Sequence, residues 1–132
     1  MNKNKGSEIK NAVDSFYTAL NDMLSTGNLT PMFDIWSHAD DTFYMGPVGG
    51  TQKGWKEIKK VWEDQAKMNL GFNVIPSDIH TVIGSDIAFT QNYENAEGPN
   101  KTPEDRVKIR ATNIFRKENG QWKMISHHTD TF

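Results

Sequence analysis

IRATNIFRKENGQWKMISHH, residues 109–128, is the stretch on which the fold turns. Asn119-Gly120 at its centre is the strongest short hairpin signal, because the favoured two-residue turn needs positive φ at both positions and Asn-Gly supplies it. With that turn Glu118 opposes Gln121, Ile114 faces Ile125, Thr112 faces His127 and Arg110 faces Thr129. A strand period of two puts these side chains on one sheet face. The other face then carries Ile109, Ala111, Asn113, Phe115, Trp122, Met124, Ser126, His128 and Asp130. Both faces are apolar near the turn and polar farther away. Such a sheet has both faces covered, one by helices and one by a partner chain. On the helix side this reading gives a pocket with Arg110, Thr112 and His127 among aromatics; the alternative leaves Arg110, Thr112 and Thr129 on a solvated face. A one-residue change in loop length would swap the faces and exchange His127 for His128.

Upstream, Ile79–Ile83 turns at Gly84-Ser85 into Ile87–Tyr93, a second hairpin, and everything from Phe72 onward reads as strand. Gly98–Pro103 is a polar loop, and the next strand starts at Arg106. The first half is helical. Ser7 is an N-cap candidate; Ile9, Val13, Phe16, Leu20 and Met23 or Leu24 recur at helical spacing, and Gly27 closes the helix. Thr30-Pro31 opens a short second helix containing Met32, Phe33, Ile35 and Trp36. A short strand over Thr42–Met45 ends at Gly46-Pro47, and a third helix runs from Gly54 to Met68 with Trp55, Ile58, Trp62 and Ala66 on one stripe. Helices followed by an antiparallel meander make an α+β domain. Residues 1–6 are expected as a disordered tail and 7–132 as a single domain.

Composition agrees. Ile plus Val outnumber Leu by 16 to 4, which favours strands over a helical bundle. Leu, Ile, Val and Phe together are only 27 of 132 residues, so the core leans on aromatics. The absence of cysteine excludes disulfides, thiolate metal sites and thiol nucleophiles. A net charge of −2 gives no electrostatic footprint for nucleic acid, and no apolar run is long enough for a membrane span. The start carries charge without an apolar stretch behind it, unlike a signal peptide, so a cytoplasmic location is expected.

The order "HADDTFYMGPVGG" (38–50), "GWKEIKKVW" (54–62), "IHTVIGSDIAF" (79–89) and the final hairpin resembles the SnoaL-like group of the nuclear transport factor 2-like superfamily, with ketosteroid isomerases as relatives. The resemblance spans roughly Ser7 to Asp130. It implies a cone-shaped, cystatin-like α+β barrel: a strongly curved antiparallel sheet wrapped around three helices, with a deep internal pocket. Homodimerisation through the outer sheet face is common in such families. The hairpin Val82-Ile83-Gly84-Ser85-Asp86-Ile87-Ala88 is also similar to that of the association domain of calcium/calmodulin-dependent kinase. Against the ketosteroid isomerase pattern, the oxyanion-binding tyrosine of the first helix is matched by Tyr17. The catalytic aspartate before the proline of the first strand is replaced by Gly46, and the protonated aspartate of the penultimate strand falls at Thr112. Gly46 offers no base and Thr112 no acidic donor.

The function so implied is a small-molecule-binding protein. It includes an enzyme performing isomerase-, dehydratase- or cyclase-type acid–base chemistry on a cyclic or carbonyl-bearing metabolite, without a cofactor. In that scheme Tyr17 polarises an oxygen and His127 or His128 moves a proton, because adjacent strand residues cannot both enter one pocket. Arg110 grips an anionic group, its alternative being an internal partner for Asp40 or Asp41. Thr112, Trp36, Tyr44, Trp62 and Asn92 complete the ligand-binding set, with core packing or a structural hydrogen bond as the plainer role for each aromatic and for Asn92. His38, His80, His127 and His128 show no metal-ligand spacing, so no metal is expected. The alternative function is a non-catalytic ligand-binding or oligomerisation module on the same fold.

Overall fold

Helix α1 (Asn2–Thr26) buries Ile9, Val13, Phe16, Leu20, Met23 and Leu24, the stripe that its spacing predicts, and adds Ala12, Tyr17 and Ala19. The structure is a computed structural model that describes residues 2–98 and 108–131. The helix starts at Asn2, ahead of the Ser7 cap read from the sequence. Gly6 is the weakest helix former there, and a single glycine costs only about 1 kcal/mol against alanine. Gly27 ends the helix, its N–H on the Met23 carbonyl at 2.9 Å. Helix α2 (Thr30–Ile35) buries Met32, and Trp36 follows it in extended conformation. Helix α3 (Trp55–Lys67) buries Ile58, Trp62 and Ala66.

Among the described residues six strands form one sheet: β1 (Phe43–Met45), β2 (Gln52–Lys53), β3 (Asn73–Ile83), β4 (Ile87–Glu97), β5 (Lys108–Glu118) and β6 (Gln121–Thr131). Their order is β2-β1-β6-β5-β4-β3. All neighbours are antiparallel except β1 and β6, which pair in parallel. Strand β2 is an addition to the sequence reading; two residues are too short for a periodic signal. The loop read over 99–103 and the strand start at 106 lie outside the described residues. The result is the expected α+β cone, three helices held against the inner face of a curved, mostly antiparallel sheet.

The turn at Asn119-Gly120 forms as predicted, with φ of 51° and 80°. The register does not hold throughout. From Glu118↔Gln121 to Phe115↔Met124 the pairing follows the two-residue turn, but beyond it Ile114 pairs with Ser126, Asn113 with His127, Thr112 with His128 and Arg110 with Asp130. Ile125 is the extra residue of a β-bulge. The faces expected from an unbroken hairpin are therefore corrected. Ala111, Asn113, Phe115, Trp122, Met124, His127 and Thr129 are buried on the helix side, while Arg110, His128 and Asp130 are exposed.

Strand β4 inverts the usual pattern. Its inward residues are Ala88, Thr90, Asn92 and Glu94, all buried, whereas Ile87 and Tyr93 on the outside are 44% and 41% exposed. Ile75 and Val82 on β3 extend this apolar outer surface. Trp122, which the unbroken register puts on the outer face, is instead buried on the helix side, its indole N–H donating to Glu8 at 2.9 Å.

Candidate functional site

The inward polar residues of β4, β5 and β6 meet Tyr17 of α1 in the middle of the cone. The Tyr17 hydroxyl donates to Glu94 Oε2 at 2.7 Å and accepts from Asn92 Nδ2 at 2.9 Å. Asn113, fully buried, reaches Tyr17 Oη at 3.4 Å and both Thr90 Oγ1 and Asn92 Oδ1 at 3.3 Å through its amide nitrogen. Its amide oxygen lies 2.6 Å from His127 Nδ1. Since that oxygen can only accept, Nδ1 carries the proton, and a neutral imidazole then presents its lone pair at Nε2. This lone pair faces Glu94 Oε2 at 3.6 Å.

Burial sets the charge state of the cluster. Glu94 is 6% exposed, and removal from water pushes its carboxyl up to about 7 against the opposing hydrogen bond from Tyr17. His127 is 3% exposed; burial, helped by the neighbouring His128, drives its imidazole down to about 3. At neutral pH the two do not form an ion pair. They form a poised carboxyl beside a neutral base, in which one proton has two acceptors within reach. Burial also raises the Tyr17 phenol far above its ordinary range, with the Glu94 carboxylate adding to the effect, so Tyr17 remains a donor.

Aromatic rings wall this centre. Phe16 and Tyr44 flank the His127 ring at centroid distances of 4.7 and 5.8 Å, and Trp62 packs on Tyr44 at 4.9 Å and on Trp36 at 6.3 Å. The Tyr44 hydroxyl accepts from Gln65 Nε2 at 3.2 Å. It also lies where Gly46 would place a side chain: a Cβ there would come within 2.7 Å of Tyr44 Oη. A carboxylate at position 46 and the present Tyr44 rotamer exclude one another. Both Trp36 and Trp62 are 1% exposed, and neither indole N–H has a hydrogen-bond partner among the described residues. A buried N–H left so costs about 1–3 kcal/mol.

The residues singled out from sequence thus separate into two places. Tyr17, Asn92, His127, Tyr44, Trp62 and Trp36 share the interior. Arg110, Thr112 and His128 do not: they line an outer-face groove of about 440 Å³ together with His80, Gln91 and Tyr93. Arg110 is gripped there by Asp130, Nε to Oδ1 at 2.9 Å and Nη2 to Oδ2 at 3.0 Å. Neither Asp40 nor Asp41 is its partner; Asp41 goes to Arg116, which also holds Glu118. The bulge at Ile125 is the cause for His128, and inward Ala111 and Asn113 leave Arg110 and Thr112 outside. The sequence reading omitted Glu94, Asn113 and Thr90. The alternation of Thr90, Asn92 and Glu94 with Phe89, Gln91 and Tyr93 was the available signal, masked because polar residues ordinarily mark the solvent face.

Comparison with known proteins agrees with this architecture. A solved structure of a candidate dehydratase of the nuclear transport factor 2-like family from Streptomyces avermitilis superposes with a TM-score of 0.81, at 20% identity, covering 98% of each chain. A candidate calcium/calmodulin-dependent protein kinase type II association domain from Thiobacillus denitrificans gives 0.80 at 22% identity over 92% of each chain. A candidate ketosteroid isomerase from Shewanella frigidimarina gives 0.69 at 18% identity, covering 91% of this chain and 92% of that one. At these identities the likeness is one of fold. In sequence, the F-box protein SKIP8 of Arabidopsis thaliana is 25% identical over 116 residues, 86% of this chain. The chain spans 45% of that relative's length. Residues 13–129 match the family described as the SnoaL-like domain. That span covers most of the chain, and the chain belongs to the SnoaL-like domain family.

Proposed function

We propose that the cone binds a small carbonyl-bearing molecule and performs proton-transfer chemistry on it, with Glu94 as the base. The observation that carries this is the buried Tyr17–Glu94–His127 cluster, whose carboxyl is held near neutrality where it can both take and return a proton. Glu94 removes a proton from the carbon next to the carbonyl, and the electron pair moves onto the carbonyl oxygen. Tyr17 turns its hydroxyl from Glu94 to that oxygen. The proton then returns from Glu94 to carbon, at the same or a conjugated position, and the carbonyl re-forms. His127, fixed by Asn113, stays neutral and turns its Nε2 lone pair toward the Glu94 carboxyl.

The position of Glu94 on β4 supplies a carboxyl that Gly46 does not. Some fold neighbours carry isomerase or dehydratase names, which suits this class of reaction. Deuterium exchange into the α-positions of cyclic ketones, followed by proton NMR, tests it. Exchange is expected above the buffer rate for the wild-type protein and at least a hundredfold slower for Glu94→Gln. Exchange unaffected by that substitution would overturn the role of Glu94. The same proposal reads the outer sheet face as a homodimer interface, because Ile75, Val82, Ile87 and Tyr93 expose apolar surface there. Light scattering is expected to give twice the chain mass for the wild type and the monomer mass for Val82→Glu; a monomeric wild type rejects the interface.

A further inference from the structure

Resting on the reading of the cone as a site of proton transfer, we infer that the Tyr44 ring is the door of that centre: it closes the cone by filling the space that Gly46 leaves empty, and it turns outward to admit a substrate. The need for a door comes from burial. Tyr17, Glu94 and His127 are all buried. Neither the outer-face groove nor a second one of about 530 Å³, between α1 and α2, is lined by any of the three. At that burial a substrate reaches the Glu94 carboxyl only when a wall moves, and a moving entrance is a common way for enzymes to exclude water.

Four rings wall the centre, and three of them are firmly held. Phe16 stands in the middle of the 25-residue helix α1, fully buried. Trp62 lies inside α3 with Trp36 packed against it, both buried. Tyr44 differs. It stands on β1, three residues long, whose outer neighbour is the two-residue edge strand β2. Short peripheral elements open locally at lower cost than the centre of a helix or sheet. The Tyr44 ring packs on Trp62 and lies nearly parallel to His127, with 18° between the planes. Its hydroxyl end reaches Gln65 and Gly46, both half-buried, and residues 47–50 just beyond are exposed.

Packing sets the direction of motion. Inward the ring meets His127 and Trp62, and a close-packed interior leaves it no space to enter. Toward the surface it meets Gly46. A Cβ there would lie 2.7 Å from Tyr44 Oη and 3.2 Å from Cζ, so the closed position exists because residue 46 has no side chain. The backbone does not demand that glycine: Gly49 and Gly50 have φ of 101° and 83°, whereas Gly46 lies outside the left-handed region. The Gln65 amide, 3.2 Å from the hydroxyl, latches the ring in place.

Gly46→Ala therefore pushes on the door without touching the centre behind it. Nitration by tetranitromethane at pH 8, mapped on peptides by mass spectrometry, reads each tyrosine separately. N-acetyltyrosinamide in the same solution is the exposed reference, and buried Tyr17 is the control for the core. In the wild type Tyr44 should react at least tenfold more slowly than the reference, because burial shields the ring and raises its phenol above the ordinary range. Gly46→Ala should raise the Tyr44 rate at least fivefold and leave Tyr17 unreacted. It should also speed α-deuterium exchange of a cyclic ketone at least threefold at low ketone concentration. Gln65→Leu releases the hydroxyl without adding bulk at position 46, should raise the Tyr44 rate in the same direction, and serves if Gly46→Ala does not fold. A Tyr44 rate unchanged in both variants, or Tyr17 reacting along with it, overturns the door whatever the wild type does to ketones. Faster Tyr44 nitration without faster exchange, in a protein that does catalyse exchange, overturns Tyr44 as the way in. Wild-type exchange at the buffer rate rejects the proton-transfer reading instead, and the nitration rates still decide whether Tyr44 opens.

Discussion

Glu94→Gln is expected to make the protein more stable at pH 8 while slowing the proposed proton exchange at least a hundredfold. Glu94 is almost wholly buried, and its carboxyl moves on folding from an ordinary 4.5 to about 7. The folded chain thus holds a proton that the unfolded chain has released. Its contribution to stability is fully present below pH 4.5, declines as the pH rises through about 7, and is absent above that. The total amounts to roughly 3 kcal/mol. Gln at 94 keeps an oxygen to accept from Tyr17 and adds an amide that can donate to His127 Nε2, without a charge to bury.

His127 has the opposite slope. Its imidazole moves from 6.5 to about 3 on folding. Stability falls as the pH drops below 6.5, because the unfolded chain takes up a proton that the folded one refuses, to a total of roughly 5 kcal/mol. Between pH 4.5 and 6.5 the two slopes offset one another, and the wild-type profile is close to flat there. Removing the carboxyl exposes the histidine term alone. Urea denaturation of Glu94→Gln at pH 5, 6.5 and 8 should therefore show stability rising from 5 to 6.5 and level at 8. A variant profile parallel to the wild type would show that Glu94 and His127 do not titrate as placed. A residue that lowers stability at working pH and is nevertheless held in place by Tyr17 fits the trade between stability and activity seen at functional sites.

The second large effect is expected at Asn113. This side chain is completely buried and joins Tyr17, Thr90, Asn92 and His127. Asn113→Ala removes the partner of His127 Nδ1–H and leaves polar atoms of its neighbours without an amide, in a space that water does not easily enter. The cost should be about 3 kcal/mol, at the upper end for one buried hydrogen-bonding group. The consequence for the site is more specific than the loss of stability. With the acceptor gone, the proton on His127 is free to move to Nε2, and the lone pair facing Glu94 disappears. Imidazole ¹⁵N shifts should report a fixed Nδ1–H tautomer in the wild type and a mixture in the variant. An unchanged tautomer with a cost below about 1 kcal/mol would mean that Asn113 merely fills space.

The helices and the hairpin turn were legible because they rest on local rules. The stripe of Ile9, Val13, Phe16 and Leu20 repeats at the helical period, and Asn119-Gly120 meets the dihedral demand of one turn type. Tyr17 was reachable through the family resemblance, and Asn92 as a polar side chain on a strand able to donate to a ligand. Glu94 and Asn113 were not. They sit on inward faces where apolar residues are the normal occupants, so the periodic pattern of β4 points the wrong way. Arg110 and Thr112 failed for a different reason. Their face of β5 was taken as the helix side, whereas Ala111, Asn113 and Phe115 alternate with them and point inward; only the exchange of His127 for His128 depends on the bulge at Ile125, which no residue type marks.

That bulge also bears on how the hairpin tolerates changes in chain length. Adjacent His127 and His128 are chemically identical, yet one is neutral in the interior and the other lies exposed in the groove. Elsewhere in a strand, losing a single residue would rotate every later side chain to the opposite face. At Ile125 the extra residue is already looped out of the ladder, so removing it would join Met124 directly to Ser126 and leave Ile114↔Ser126 and Asn113↔His127 paired as they are. The hairpin therefore holds one residue of slack at the position that separates its apolar tip from its functional half.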